Sequence, residues 1–228
     1  MRSMLLCFSV LIAGTALTPC GLSAQQQHAI RLLPPDTTRG RPFMEALAVK
    51  ASATQWSPKD LSLQDLSDLL WAANGLNRPG ENKTTASSAM NAHDVDVYVF
   101  MSTGVFLYDY RNHELVPVAS GDLRSAVPMQ RSPRPGTAAP ASPAAPEAAI
   151  QIVLISDAAR FRAGSDEQRY EWGAIDTGII SQNISLFCAA TGLKTRPRAS
   201  MNKERIKEIL HLRPTQRIFL EHPVGYAR

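Results

Sequence analysis

The chain has 228 residues, of which 44% are hydrophobic and 19% charged, and its formal net charge is +4. This composition is ordinary for a globular protein, and the length is enough for one domain with its own core. The Arg and Lys residues are scattered, so no basic stripe or aromatic platform supports nucleic-acid binding.

Residues 1–24 have the features of a secretory signal peptide. Arg2 precedes the apolar run 4–16, and the small-residue ending at Ala24 precedes a polar segment. We therefore expect an exported, periplasmic protein that is cleaved after Ala24. The apolar run is short for a bilayer span and no later run reaches about 18 apolar residues, so no membrane span is expected. Cys20 follows Pro, which favours cleavage over lipid attachment.

Removal of this peptide leaves Cys188 as the single cysteine, so the mature chain has no possible intramolecular disulfide. Cys188 lies in the apolar stretch 184–190. This context favours a buried side chain over a reactive thiol, because no base or cation accompanies it in the local sequence.

The next segments predict an extended arm followed by two helices. Residues 25–40 are polar and rich in Pro and Gly, which indicates an extended N-terminal arm able to wrap a partner. The domain itself is expected over 41–228. Its first helix follows Pro42 over 43–50. Its second begins after a Ser62 cap and has apolar residues at helical spacing until Gly75.

Strand patterns then dominate. The runs 95–100 and 105–108 flank a turn and predict an antiparallel hairpin, which 114–118 continues as a third strand. The segment 126–149 is rich in Pro and Ala and is expected to be a surface insertion. Residues 150–155 form a continuous apolar run, which indicates a central strand covered on both faces.

The C-terminal part predicts a long helix over 167–191 that Gly192 ends, a short helix over 202–210, and a last strand over 216–221. The helix carries small residues that allow close approach of another helix or a ligand. Helices and antiparallel strands interleave along the chain, so the expected fold class is α+β.

The residues themselves suggest two weak sites. Lys50, Ser52 and Thr54 could offer a phosphate one cation and two hydroxyls, although a solvated helix end explains the same pattern. The small residues of 84–91 could let backbone N–H groups approach a flat polar ligand, with Asn91 as donor and acceptor, although a capped loop has the same composition. No paired-carboxylate arrangement, metal-binding spacing, phosphate loop or nucleophile elbow is present in the sequence.

The order of the motifs resembles the nitroreductase superfamily, nearest to the branch that makes thiazoles and oxazoles in peptides. Residues 50–56 and the helix 61–75, with its Leu-Leu-Trp-Ala-Ala-Asn-Gly ending, are similar to the opening blocks of that branch. Residues 84–100 resemble its Thr-x-Pro-Ser-Ala segment and first strand. Further blocks match its long helix and closing motif: Ala174-x-Asp176-x-Gly178, Ser181-Gln182-Asn183, Gly192-Leu193 and Val224-Gly225-Tyr226. The resemblance covers residues 32–228.

This resemblance implies an α+β fold with a mostly antiparallel sheet flanked by helices, an intertwined homodimer, and one FMN at each of two subunit interfaces. It also implies ping-pong transfer of electrons or hydride through the flavin, with no catalytic side chain. Lys50, Ser52 and Thr54 would lie at the phosphate and ribityl chain. Four residues would border the isoalloxazine ring, with Asn91 on its polar edge: Ser87, Ser88, Met90 and Asn91.

The sequence departs from the family pattern at three positions. Ala51 and Thr54 stand where the family usually has Arg, and Ser87 replaces a Pro. Cations elsewhere could compensate at the phosphate, and the candidates are Arg196, Arg198 and Arg228. Export also separates the protein from cytoplasmic NAD(P)H, which favours a protein or quinone donor, or oxygen as acceptor.

Three hypotheses follow for the function. The first is an exported FMN-dependent oxidoreductase acting on a small molecule or peptide that the sequence does not identify. The second is a binding or assembly protein that kept the fold and lost flavin redox activity, which Ala51 and Thr54 favour. The third is an exported α+β protein without flavin whose motif matches are accidental.

Overall fold

A single antiparallel sheet with helices on both faces organises residues 27–129 and 148–228, the part of the chain that the computed structural model describes. The helices of this part are α1 Phe43–Val49, α2 Leu63–Asn74, α3 Asp166–Thr191 and α4 Lys203–Leu210. The strands are β1 Ile30–Arg31, β2 Leu76–Arg78, β3 Lys83–Thr84, β4 Val95–Met101, β5 Gly104–Asp109, β6 Glu114–Ser120, β7 Ile150–Asp157, β8 Lys194–Thr195 and β9 Gln216–Gly225. The α+β class and the mostly antiparallel sheet are therefore confirmed.

The main sheet has seven strands in the order β1-β6-β5-β4-β7-β9-β8, and β2 pairs with β3 separately. Strand β7 is an interior strand between β4 and β9, and all eight of its residues are buried, as its apolar run predicts. Alternate side chains on β7 enter two different cores. Ile152 and Leu154 join the core beneath α2 and α3, whereas Val153 and Ile155 join the core beneath α4.

The predicted hairpin and third strand are confirmed as β4, β5 and β6, but β9 runs further than expected. The sequence predicts that this strand ends at Glu221, before the tail that begins with His222-Pro223. The strand continues to Gly225, with Pro223 opposite Gln151 of β7. The Glu221 N–H and carbonyl both bond to the Arg198 backbone, on the side of β9 that faces away from β7. Pro223 lies two residues further along the strand, so its nitrogen points to that same side. A residue without an N–H is tolerated there.

The cap of α2 is built from both ends of the domain. The Ser62 side chain accepts from the Asp65 N–H, as predicted. The Asp65 side chain does not accept from the Ser62 N–H in return, so a full capping box does not form. Instead the Tyr226 hydroxyl accepts from the Ser62 N–H at 3.0 Å and donates to Asp65 Oδ2 at 2.5 Å. The closing motif of the sequence therefore stabilises the start of α2.

The long helix α3 begins and ends at the predicted signals. Ser165 and Gln168 form a full capping box, and Gly192 adopts the left-handed conformation, with φ of 85°. Cys188 is 1% exposed, and burial raises the pKa of its thiol, which agrees with the predicted buried side chain. Within residues 27–129 and 148–228, no helix is long and apolar enough to cross a bilayer.

The described part of the N-terminal arm packs on its own chain. Ile30–Arg31 adds an edge strand to β6, and Leu32 is 5% exposed within the core. Arg39 then spans two carboxylates of α2, at 2.6 Å from Asp65 and 2.7 Å from Asp68. The arm thereby fixes α2 on the sheet.

Asp68→Ala is expected to destabilise the fold by about 2 kcal/mol, because Asp68 is buried and three groups depend on it. It accepts from Arg39, from Gln64 and from the Asp36 N–H. Urea unfolding measures the effect, with Asp60→Ala as control, since Asp60 is exposed and its nearest cation is 3.8 Å away. Equal stability of the two variants would show that the arm contributes nothing.

Two predicted segments lie wholly or partly outside the described residues. These are the signal peptide 1–24 and the middle of the 126–149 insertion. The ends of the insertion are core positions rather than surface ones, because Val127 is fully buried and Ala149 is 1% exposed. The Arg124 guanidinium also donates to the Ala149 carbonyl at 2.8 Å. The two ends of this segment are therefore held at the sheet.

Candidate functional site

The first group of predicted residues lies where α1 ends beside β8. Lys50 ends α1 in extended backbone, and the Ala53 N–H donates to the Thr195 carbonyl at 2.9 Å. Trp56 is buried and its indole donates to the Lys194 carbonyl. These contacts hold the segment against β8 and leave three of the predicted side chains exposed: Lys50, Ser52 and Thr54.

Three arginines were proposed to compensate for Ala51 and Thr54, and the backbone of two of them lies near this segment. Arg196 follows Thr195, and Arg228 lies two residues after Tyr226, whose carbonyl accepts from the Ser57 N–H. Arg198 is engaged elsewhere. Its Nε lies 2.6 Å from Glu221 Oε1, and Glu221 is fully buried. Arg198 is therefore the counter-ion of a buried carboxylate and does not compensate for Ala51 or Thr54.

A cleft of about 120 Å³ opens between the C-terminal ends of α1 and α3, and it contains two cations that the sequence analysis missed. They are Arg41 and Lys194, and they share the cleft with Val49, Ala51, Cys188 and Thr195. The Arg41 N–H donates to the Ala190 carbonyl, which places Arg41 at the end of α3. Neither cation forms an ion pair within the described residues. We call this the cationic cleft.

Arg41 and Lys194 had only a weak signal in the sequence. Arg41 immediately precedes Pro42, and Lys194 follows the Gly192 cap of α3, so both positions are beside helix ends. Such positions commonly carry charge for reasons of helix stability alone. Their proximity depends on the fold, because about 150 residues separate them along the chain.

The second predicted group lies in one loop, residues 87–91, against the middle of α3. Residues 89–91 form a single 3-10 turn rather than the start of an α-helix. Met90 and Asn91 have φ of 54° and 53°, which an α-helix does not allow. The Ala89 N–H donates to Asp176 Oδ2 of α3, and the Ser88 hydroxyl accepts from the His93 N–H. Ser87, Met90 and Asn91 are exposed and Ser88 is half-buried.

The two groups are far apart within one chain. The 87–91 loop contacts α3 at Asp176, whereas the α3 residues that line the cationic cleft begin at Ser185. Nine or more residues of helix separate these points, which is roughly 14 Å at the rise of an α-helix. Within one chain, the residues predicted to contact a phosphate therefore lie in one place, and the residues predicted to contact a flavin ring lie in another.

A histidine joins the polar groups between β9 and α3. His222 is fully buried, its Nε2 lies 2.8 Å from the Ser181 hydroxyl, and its Nδ1 lies 3.1 Å from the Thr195 hydroxyl. Burial lowers the pKa of this imidazole to about 3, so it stays neutral. This environment gives His222 a structural role between β9 and α3.

The exposed side of α1 forms an apolar surface. Ala46 is the one buried residue of that helix, and four large apolar side chains are exposed on it: Phe43, Met44, Leu47 and Val49. An exposed apolar stripe of this size on a short helix is typical of a protein interface. The helix also borders the cationic cleft through Val49.

Comparison with known proteins agrees with this geometry. The model of the nitroreductase family matches residues 51–226. A crystal structure assigned as a nitroreductase from Ralstonia eutropha JMP134 is 28% identical, with a TM-score of 0.76 over 89% of this chain and 90% of that one. Comparison with curated proteins gives no match.

More distant structures share the fold. A chain of the E. coli microcin synthetase complex McbBCD, bound to truncated pro-MccB17, superposes with a TM-score of 0.65 at 16% identity, over 95% of this chain and 85% of that one. A structure assigned as an NADH dehydrogenase or NAD(P)H nitroreductase from Parabacteroides distasonis ATCC 8503 gives 0.51 at 15% identity, over 81% and 86%.

The family match covers most of the chain and places it among oxidoreductases, as the sequence motifs predicted. The chain belongs to the nitroreductase family.

Proposed function

We propose that the chain is an exported FMN-dependent oxidoreductase that works as a homodimer on a small-molecule or peptide substrate. The observation that carries this proposal is the separation of the two residue groups. Both groups are mostly exposed, yet they lie roughly 14 Å apart along α3. A second copy of the chain would bring its own 87–91 loop to the cationic cleft of the first, so each flavin would contact both copies.

The cationic cleft fits the phosphate end of FMN. Phosphate is bound by cations that donate charge-assisted hydrogen bonds, and Arg suits it by geometry. Arg41 and Lys194 provide two such cations beside Ala51, where the family usually has Arg. Lys50, Ser52, Thr54 and Arg196 would complete this end from the adjoining exposed backbone.

The 87–91 loop fits the ring end. Its backbone conformation exposes Met90, which offers an apolar contact, and Asn91, whose amide both donates and accepts. Ser87 and Ser88 are small enough to let a flat ring approach. Bound FMN would supply the redox chemistry, and the protein would orient it and tune it by hydrogen bonds. The side chains therefore bind and position, and none is required as a nucleophile.

Removal of either cleft cation is expected to weaken FMN binding about tenfold, since one charge-assisted hydrogen bond to phosphate contributes roughly 1.5 kcal/mol. The variants are Arg41→Gln and Lys194→Gln, and together they should weaken binding about a hundredfold. Quenching of flavin fluorescence measures the affinity. The control is Lys207→Gln, an exposed cation on α4 outside the cleft. Unchanged affinity in the double variant would remove the cationic cleft from the site.

The absorbance spectrum of the purified chain, before and after refolding with FMN, tests the proposal as a whole. About one flavin per chain supports the oxidoreductase. A colourless chain that rejects FMN supports a binding or assembly protein that lost redox activity, with Ala51 and Thr54 as the physical reason. A colourless monomer would instead support a protein that shares only the fold.

Export is proposed from the sequence of residues 1–24. An exported flavoprotein would need a donor other than cytoplasmic NAD(P)H, such as a quinone or a protein. Mass spectrometry of the periplasmic fraction should find a mature chain that begins at Gln25. Recovery of the full-length chain from the cytoplasm alone would contradict this part of the proposal.

A further inference from the structure

Two buried carboxyl groups face each other beneath the 87–91 loop. Asp94 precedes β4 and is fully buried, and Asp176 on α3 is 4% exposed. Both residues line the same small cavity under the loop. The Ser156 hydroxyl donates to Asp94 Oδ2 at 2.5 Å, and the Ala89 N–H donates to Asp176 Oδ2 at 2.8 Å. The pair thus connects the sheet, α3 and the loop.

This pair needs a proton. An ionised carboxylate only accepts hydrogen bonds, and no donor from another described residue reaches Asp94 Oδ1. Two adjacent buried carboxylates cannot both be ionised without strong repulsion. A proton on Asp94 Oδ1 would turn this oxygen into a donor toward Asp176, so the proton belongs on Asp94. Burial, followed by the neighbouring Asp176, raises the pKa of Asp94 to about 7.

Among the described residues, the cation beside Asp94 is already bound to other groups, so it does not replace the proton. Arg160 is the nearest, and its guanidinium is bound to Asp96 and to the His93 carbonyl, both at 2.6 Å. Burial lowers the pKa of His93, so its imidazole is neutral at pH 7. The groups around Asp94 are Asp176 of α3 and His93 of the loop, which line the same cavity, Ser156 of β7, which donates to it, and Arg160 after β7. Asp157 of β7 touches it through the backbone, and Asp96 of β4 lies two residues further along the chain.

The loop above the pair is in an unusual conformation. Met90, Asn91 and His93 all have φ near 50°. Such angles are costly for residues other than glycine and persist only where the surroundings impose them. The hydrogen bond from the Ala89 N–H to Asp176 acts immediately before Met90, at the point where the backbone leaves the ordinary region.

We propose that Asp94 and Asp176 are positioning residues that share one proton, and that this proton lets Asp176 hold the Ala89 N–H and keep Met90 and Asn91 in place. Asp94 donates the shared proton to Asp176, and Asp176 accepts from the loop. Loss of the proton puts two negative charges beneath the loop and loosens it. The link to flavin rests on the proposed function, whereas the anchor is a property of the chain itself.

The pH range follows from the direction of the shift. Asp94 has an ordinary pKa of 3.8 and a folded pKa of about 7, so between these values the folded chain keeps a proton that the unfolded chain has released. The stabilisation by this proton is complete below about pH 4 and is lost as the pH rises through about 7. The loop should therefore be firmly held at pH 6 and loosened at pH 8.5.

Hydrogen exchange of the Ala89 amide, measured by NMR in the full chain without FMN, tests the anchor. In the wild type, protection corrected for the intrinsic rate should fall about tenfold from pH 6 to pH 8.5. Asp94→Asn should keep Ala89 protected across that range, because its amide donates to Asp176 without titrating. Asp176→Ala should leave Ala89 unprotected at both pH values. The control is Asp166→Asn, an exposed acid at the start of α3, which should behave as the wild type.

Two results would overturn the anchor. One is an unchanged pH dependence in Asp94→Asn, and the other is wild-type protection of Ala89 in Asp176→Ala. FMN affinity at pH 6.5 and 8.5 then tests the link to flavin. The wild type should bind more weakly at the higher pH, and Asp94→Asn should bind equally at both. If no variant binds FMN, the proposed function fails, and the exchange data alone decide the anchor.

Discussion

Met44→Asp is expected to leave the chain monomeric at concentrations where the wild type forms the proposed dimer. Met44 is 72% exposed and Phe43 62% exposed on α1, a helix with one buried residue. Placing a carboxylate in an apolar interface costs several kcal/mol, so the dimer dissociation constant should rise at least about a hundredfold. Sedimentation velocity measures the change. Loss of the dimer should also release flavin, because each proposed site needs two copies.

Val118→Asp is the matched control for this variant. Val118 is also an exposed apolar residue, at 40%, but it lies on β6 away from α1. The Val118→Asp variant should dimerise as the wild type does. A wild-type chain that stays monomeric at all concentrations would contradict the homodimer. A dimer that Met44→Asp leaves intact would place the interface on another face.

Gly173→Ala is expected to destabilise the fold by about 3 kcal/mol, although Ala favours helices more than Gly. A Cβ at Gly173 would lie 2.3 Å from Ser156 Oγ and 2.9 Å from Ser156 Cβ. Ser156 cannot move freely, because it belongs to the buried strand β7 and donates to Asp94. The new methyl group would therefore push α3 away from the sheet. Urea unfolding monitored by circular dichroism gives the free-energy change.

Gly178→Ala provides the comparison on the same helix. Nothing lies within 4 Å of a Cβ at Gly178 in the single chain. This variant should stabilise the chain by up to about 1 kcal/mol through helix propensity alone. If Gly173→Ala gains stability to the same degree, close packing of α3 on Ser156 does not limit this position.

Local signals predicted most of the elements. Hydrophobic spacing and end caps located α2 between Ser62 and Gly75, and Gly192 marked the end of α3. The strands β4 to β7 followed from alternating or continuous apolar runs. The strands that escaped prediction were β1, β2, β3 and β8, each of two or three residues. Pairing partners rather than their own sequences define such short strands, so the local pattern carries little information.

The site was predicted unevenly. The sequence placed the 87–91 loop as a contact surface, and the structure brings its residues together on one exposed turn. Arg198 was a reasonable cation until the fold paired it with the buried Glu221. Nothing near Arg41 in the sequence indicates a phosphate, so its place in the cleft follows from the fold alone.

Caps, periodicity and motif order are local properties of the chain, so they were enough to predict the family, the order of the main elements and the residues of the 87–91 loop. Which distant groups meet depends on the fold. The fold places Arg41 beside Lys194, Tyr226 on Asp65, and Asp94 in the same small cavity as Asp176. Sheet register and the packing of α3 set these contacts. The charges and the proton that the site depends on therefore follow from burial and distance in the folded chain.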